Sequence, residues 1–218
     1  MKLWTSSMAA AFLCIIPALG NAGPAKNKAF SVFSPDKRIE CRIEISDRVS
    51  YSVYFQSKEI LSPSPVSLTI NDNVVLGKGA VLSSAQPRSV DEKIFPPVKL
   101  KQAVVADRFR ELTLNFRGNY GMKFRVYDDG VAYRFFTGYR RDIKINAEEV
   151  NFNFSGDYSV FFPLTKGLHT SFESNYSYLP LAEIGAQRFG YAPAVVDIPQ
   201  GPKVAVAEAD LEATRGCS

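Results

Sequence analysis

The sequence predicts an all-β chain folded as an antiparallel β-sandwich. Three observations carry this prediction: apolar and polar residues alternate along short segments, the segments recur roughly every ten residues, and polar turn residues separate them. Hydrophobic residues make up 46% of the 218 residues and charged residues 22%. This ordinary globular composition excludes a disordered or collagen-like chain, and the length suits one large all-β domain.

The strands follow from a two-residue period, which gives each strand one apolar and one polar face. In Ile39–Ile45 the odd positions are apolar and the even ones charged, and Val49–Phe55 continues the pattern to a turn at residues 56–58. Further strands are predicted at residues 66–70, 79–82, 99–106, 111–116, 121–128, 131–137, 143–153, 158–162 and 204–209.

Turn signals divide the chain between these strands. Asp129-Gly130 separates two alternating segments and predicts a tight hairpin in which Gly130 adopts a positive φ. Residues 84–97 are expected to form a long exposed connection. Prolines mark loops at Pro63, Pro65, Pro96 and Pro97. No linker or repeat interrupts the pattern, which favours one domain.

The N-terminus is typical of a secretory signal peptide. A positive start at Lys2, an apolar run over residues 8–19 and small residues before position 23 predict cleavage after Ala22. A transmembrane anchor is the alternative, but the apolar run is shorter than the roughly 20 residues that a spanning helix needs, and Pro17 interrupts it. We therefore expect a signal peptide at residues 1–22, export to a periplasmic or secreted location, no membrane span, and a domain over residues 28–218.

Composition restricts the chemistry. His169 is the single histidine, so a charge-relay triad could form only around it, and a surface hydrogen-bonding role is favoured. After signal cleavage, Cys41 and Cys217 remain as an allowed disulfide pair that the spacing does not decide. The 26 basic residues are spread among 22 acidic ones without a basic block, which argues against a nucleic-acid partner. The adjacent acids Glu148-Glu149 and Asp128-Asp129 are expected to be structural.

Two segments could bind ligands. Residues 163–191 combine aromatic rings with hydrogen-bonding groups, as a sugar-binding surface requires, and Phe172, Glu173, Tyr176 and Tyr178 are the candidate residues there. Covering the edge of the sandwich is the alternative role for these rings. Near the C-terminus, Glu208 follows an apolar strand, and a carboxylate at a strand end can bind a hard cation such as calcium.

Taken together, these segments resemble the N-terminal β-sandwich domain of glycoside hydrolase family 97, which comprises exported bacterial α-glucosidases and α-galactosidases. The resemblance begins at Phe33-Ser34-Pro35-Asp36, continues through residues 125–135 and ends at residues 206–211. It implies a supersandwich of the galactose-mutarotase type, packed against a catalytic (β/α)₈ barrel. It also implies that Glu208 is a calcium ligand, while the other ligands and the catalytic acids belong to the barrel.

The sequence stops before any barrel, so we expect a truncated chain whose sandwich is incomplete at its C-terminal end. One carboxylate supplies one or two of the six to eight oxygens that calcium takes, so calcium should bind weakly or not at all outside the complete enzyme. Without an acid pair the chain should be inactive alone. The alternatives are a free-standing carbohydrate-binding module for α-linked oligosaccharides or glycosides, and one half of an enzyme whose barrel is separately encoded.

Overall fold

The computed structural model describes residues 27–71, 73–98, 102–167, 169, 173–185 and 188–208, and these residues are built almost entirely from β-strands. The strands are β1 (Lys28–Phe33), β2 (Ile39–Ile45), β3 (Val49–Phe55), β4 (Lys58–Ile70), β5 (Val74–Leu76), β6 (Leu82–Ile94), β7 (Val105–Phe116), β8 (Tyr120–Tyr127), β9 (Val131–Thr137), β10 (Ile145–Val150), β11 (Ser159–Phe162), β12 (Leu164–Thr165), β13 (Ser177–Pro180), β14 (Phe189–Gly190), β15 (Ala194–Asp197) and β16 (Lys203–Val206). Among the residues that the structure describes, one 3₁₀ turn is present, at Leu181–Glu183. Within the described part of the chain, no helix is long and apolar enough to cross a membrane.

Antiparallel pairing arranges the strands into sheets. The first sheet has the order β1-β2-β3-β4-β10, with β5 added to β4, and the second has the order β6-β7-β8-β9. A third sheet has the order β13-β11-β15-β16, and β12 pairs with β14. The fold class predicted from the alternation, an all-β antiparallel sandwich, is confirmed.

The core lies where the apolar faces of the first two sheets meet. Fully buried Ile43 and Val49 come from the first sheet, and fully buried Met122 and Phe124 come from the second. Tyr51 joins the two layers, since its ring lies 6.3 Å from the ring of Phe124. The inner face of the third sheet belongs to the same core through its most buried residues, which are Val160, Val196 and the adjoining Ile198. Burial of these apolar faces is the main favourable term in folding.

Several predicted strands are confirmed residue by residue. Strands β2, β3 and β9 have the predicted bounds. In β2 the apolar odd positions are buried and the charged even positions are exposed or half-buried. The hairpin of β8 and β9 is also confirmed, with Val126 opposite Val131. Gly130, however, is not among the residues with positive φ, so the reason given for the turn is wrong. The amide of Tyr127 instead donates to the carbonyl of Gly130 at 2.8 Å, which closes the turn.

Two proline-containing segments are strands, so the prediction of loops there is wrong. Pro63 and Pro65 lie inside the 13-residue strand β4, where the pairing with β3 shifts register. Residues 84–97 are largely strand β6, with Pro87 opposite Leu112. Proline lacks an N–H but is tolerated at bulges and on edge strands, and β6 is an edge strand of its sheet. Its exposed polar faces removed the alternation on which the strand prediction depends.

The strand predicted at residues 79–82 is also wrong. Gly79 has a φ of +58°, a left-handed conformation that does not continue a strand, and β6 begins only at Leu82. The strand predicted from residue 99 begins at Val105, and residues 99–101 lie outside the described residues.

The predicted signal peptide, residues 1–22, and Cys217 also lie outside the described residues. Cys41 is fully buried in the core as a free thiol.

Candidate functional site

Glu208, the acid singled out from the sequence as a calcium ligand, is exposed and lies just beyond the third sheet. It follows strand β16 by one intervening residue. Pairing with β15 fixes β16, with Val206 opposite Ala194, and Val204 packs against the core. The sheet therefore determines where the chain carrying Glu208 emerges.

The charge of Glu208 influences the pKa of Glu148. Glu148 stands on β10, opposite Leu68 of β4 in the first sheet. Burial first, and the negative charge of Glu208 second, raise the pKa of Glu148 above its usual range. Burial and the charge of Glu148 likewise raise the pKa of Tyr133. Glu148 of the first sheet is thus electrostatically coupled to Glu208, which follows the third sheet, and to Tyr133 on β9 of the second sheet.

Glu149, the neighbour of Glu148, has a structural role. It accepts a hydrogen bond from Ser67 Oγ at 2.7 Å and forms an ion pair with Arg48. The Ser67 hydrogen bond is the largest of the effects that lower the pKa of Glu149. Successive residues on a strand point to opposite faces, which separates Glu149 from Glu148. Sequence reasoning missed the approach of Glu148 to Glu208, because no local pattern reports a partner on another sheet.

Glu148 and Glu208 are chemically suitable for part of a calcium site. Calcium prefers carboxylate oxygens, and a cation would relieve the repulsion that raises the pKa of Glu148. Within the described residues, no group of three or more His, Cys, Asp or Glu side chains is arranged to hold a metal. The two acids could therefore supply only some of the six to eight oxygens that calcium takes.

Of the aromatic candidates, Tyr178 lies on the third sheet. Tyr178, on β13, is 56% exposed, and its ring centroid lies 4.6 Å from that of Phe161 on β11, which is 41% exposed. The Tyr178 hydroxyl donates to Asp197 Oδ2 at 2.9 Å, and Lys203 forms an ion pair with the same aspartate. Because Val160 and Leu179 face the core, the ring pair lies on the opposite, outward face of the sheet.

The other candidates differ in how firmly the structure holds them. Tyr176 is 43% exposed, and its hydroxyl donates to the carbonyl of Pro193 at 3.0 Å. Glu173 and His169 are exposed. Phe172 lies outside the described residues. The structure therefore adds Phe161 as the ring partner of Tyr178, a pairing that cross-strand register creates and that sequence spacing does not reveal.

Comparison with known proteins decides the family. The family model for the N-terminal domain of glycosyl hydrolase 97 matches residues 32–217. The chain belongs to this family. The family 97 chain is 32% identical over 209 residues to the retaining α-galactosidase of Bacteroides thetaiotaomicron, covering 92% of this chain and 31% of that protein. The chain therefore spans about a third of the length of this curated relative. The family match confirms the resemblance to the N-terminal domain of family 97.

Solved structures agree on the fold of this family 97 chain. A glycoside hydrolase family 97 enzyme from Pseudoalteromonas sp. strain K8, in complex with acarbose, matches with a TM-score of 0.68 at 21% identity, over 77% of this chain and 26% of that one. A β-arabinopyranosidase matches with a TM-score of 0.67 at 22% identity, over 77% of this chain and 29% of that one. At these identities the likeness establishes the shared fold.

Proposed function

We propose that this chain is the non-catalytic, carbohydrate-associated N-terminal domain of an exported α-glycosidase of the α-glucosidase or α-galactosidase type. The match of the family model over residues 32–217 carries the proposal. The name of the Bacteroides relative, a retaining α-galactosidase, supports an α-linked substrate. Catalysis would then require a partner domain, the (β/α)₈ barrel, which supplies the acid pair that glycoside hydrolysis needs.

In this proposal Glu208 is a calcium ligand that reaches toward the active site, and Glu148 supports it. The raised pKa of Glu148, to which burial contributes most and the charge of Glu208 second, supports this pairing. Bound calcium would supply a concentrated positive charge for oxygen atoms of the substrate. Glu208 would supply some of the oxygen ligands of the calcium ion, and the barrel would supply the others. Isolated, the chain would bind calcium weakly.

The enzymatic part is tested with the purified chain on nitrophenyl α-glucoside and nitrophenyl α-galactoside, with and without calcium. We expect no turnover above the background of an identically purified Glu208→Gln variant. Turnover that co-purifies with the chain and survives in Glu208→Gln would show a catalytic centre within these residues, and it would overturn the non-catalytic assignment.

Cation binding is tested separately by following terbium luminescence during a calcium-competition titration. Glu208→Gln and Glu148→Gln should each weaken terbium binding several-fold, because each removes a carboxylate from the pair. Glu183→Gln, which alters an exposed acid on the 3₁₀ turn, is the matched control and should bind like the parent chain. Equal binding by all four proteins would contradict the role of Glu208.

Export is tested by fusing residues 1–22 to an alkaline phosphatase that lacks its own signal and becomes active only outside the cytoplasm. The fusion should be active in bacteria. Ile15→Arg, which places a charge in the apolar run, should abolish that activity. An inactive parent fusion that accumulates in the cytoplasm would contradict export.

A carbohydrate-binding module is the second candidate, because Tyr178 and Phe161 present paired, exposed rings beside Asp197. Calorimetry with maltose, melibiose and longer α-glucans distinguishes it from a purely scaffolding domain. Heat that disappears in Tyr178→Ala would favour the module. The absence of heat at millimolar sugar would remove it.

A further inference from the structure

A groove lies on the outer face of the sheet β6-β7-β8-β9, on other strands than Glu208 and the ring pair of Tyr178 and Phe161. It encloses about 600 Å³, which is within the range of roughly 300–1,000 Å³ typical of small-molecule sites. We call it the outer groove, and we define it by the lining residues Arg88, Glu111, Asn115, Lys123, Arg134 and Phe136.

Cross-strand register builds this groove. One row of neighbours across the four strands consists of Gln86, Thr113, Lys123 and Arg134. The core side of the same strands is apolar, since fully buried Leu114 and Met122 alternate with the groove residues. The polar side chains are therefore fixed to one face by the same alternation that builds the core.

The groove carries a net positive charge. Glu111 is 3% exposed and accepts a hydrogen bond from Arg125 Nε at 2.6 Å. Arg88 Nε lies 3.5 Å and Lys123 Nζ 3.9 Å from Glu111 Oε1. Burial raises the pKa of Glu111, but these three cations outweigh burial and hold the pKa below its usual value. Three cations surround one carboxylate, so the cluster retains positive charge that a second anion would balance.

An aromatic ring forms one side of the groove. A Cβ placed on Gly121 would lie 2.3 Å from Phe136 Cζ, so the ring of Phe136 lies directly over the glycine backbone. Lys123 Nζ lies 5.8 Å from the centroid of this ring. Asn115 Nδ2 donates to Ser84 Oγ at 3.0 Å on the adjoining row. A ring face, amide and hydroxyl groups, and cationic heads thus occupy one recess.

We infer that the outer groove binds an anionic saccharide unit, with its acidic group held by Arg88 and Lys123 and its ring against Phe136. Guanidinium and ammonium groups bind carboxylates and sulfates through charge-assisted hydrogen bonds. Aromatic faces and nearby amide and hydroxyl groups provide the contacts that a sugar ring uses. The site is independent of Glu208 and of the ring pair of Tyr178 and Phe161, which lie on other strands.

Calorimetry on the full chain tests this inference with three sugars and one polyanion that contains no sugar. Trigalacturonate carries carboxylates, a sulfated galactose trisaccharide carries sulfates, maltotriose is neutral, and polyglutamate is the polyanion. We expect the carboxylated or the sulfated sugar to bind, and maltotriose neither to bind nor to displace it. Whichever acidic sugar binds more tightly identifies the acidic group that the groove prefers. Binding should weaken as the sodium chloride concentration is raised. Added salt shortens the distance over which exposed charges interact from roughly 10 Å to roughly 3 Å.

Lys123→Gln and Arg88→Gln should each weaken binding about tenfold, the loss expected for one charge-assisted hydrogen bond. Arg110→Gln on β7 is the matched control, because residue 110 lies on the opposite face of that strand from Glu111. Circular dichroism verifies that each variant is folded. The inference fails if neither acidic sugar binds, if Arg110→Gln weakens binding as much as Lys123→Gln, or if polyglutamate binds as tightly as the acidic sugars.

Discussion

The backbone amide of Asp36 donates a hydrogen bond of 2.8 Å to Oδ1 of Asp128. Asp36 lies in the turn between β1 and β2, and Asp128 lies in the turn between β8 and β9. Arg38 Nη2 also donates to the carbonyl of Asp128 at 3.5 Å, and Arg108 forms an ion pair with the Asp128 carboxylate. Two motifs that are separate in the sequence therefore join the first and second sheets at one end of the sandwich.

Replacing Asp128 by alanine should lower the midpoint of thermal unfolding by about 3 °C, because one inter-sheet hydrogen bond and one ion pair are lost. Asp128→Asn is the matched variant. It keeps an oxygen acceptor for the Asp36 amide and should lose less. Differential scanning calorimetry measures both, and equal losses would show that charge rather than the hydrogen bond joins the turns.

Replacing Glu111 by glutamine should destabilise the chain by about 2 kcal/mol at neutral pH, because Arg88, Lys123 and Arg125 lose their shared carboxylate. The pKa of Glu111 is lowered on folding, so its stabilising effect is complete above the reference pKa of 4.5 and declines as the pH falls through the lower folded value. Urea unfolding from pH 7 to pH 3 measures the difference between the parent and Glu111→Gln.

That difference should shrink on acidification. Glu92→Gln, at an exposed position on β6 of the same sheet, is the control and should be close to neutral at every pH. A gap between parent and Glu111→Gln that stays constant down to pH 3 would mean that the ionised carboxylate is not the stabilising group.

Replacing Gly121 by alanine should destabilise the second sheet by about 1–3 kcal/mol, the usual cost of overpacking. The new Cβ would lie 2.3 Å from Phe136 Cζ and 2.4 Å from the carbonyl oxygen of Leu114. Removing the ring in Gly121→Ala/Phe136→Ala should restore little stability, because the backbone carbonyl stays in place. Gly130→Ala, with open space around its Cβ, is the control in denaturant titrations. A stable Gly121→Ala chain would contradict the observed close packing.

Cys41 should resist thiol reagents in the native chain. Its side chain is 0% exposed, and burial, followed by the nearby charge of Glu40, raises the pKa of its thiol. In a mature chain that carries Cys217→Ser, labelling with a chromogenic disulfide should be slow and should become fast in urea. Rapid labelling without urea would show that the core around β2 opens readily.

Sequence alone determined the class of the fold and the position of its most regular strands. Strands such as β2 and β9 have one face that is more buried than the other, so apolar and polar residues alternate along their sequences with a period of two. The edge strand β6 has both faces largely exposed, so its residues do not alternate between apolar and polar, and the sequence predicts an exposed connection at residues 84–97 instead. The ordered motifs of residues 33–36, 125–135 and 206–211 also indicate the family from sequence alone.

Only the tertiary structure decided which side chains meet. The charge of Glu208 acts on Glu148, Phe161 packs on Tyr178, and the Asp36 amide binds Asp128, and each pair joins residues that are separated in the chain. Alternation specifies which face of a strand a residue occupies, but the order and register of the sheets specify its neighbours. Those depend on the packing of the whole core, and for that reason the candidate calcium pair and the outer groove emerge only from the folded chain.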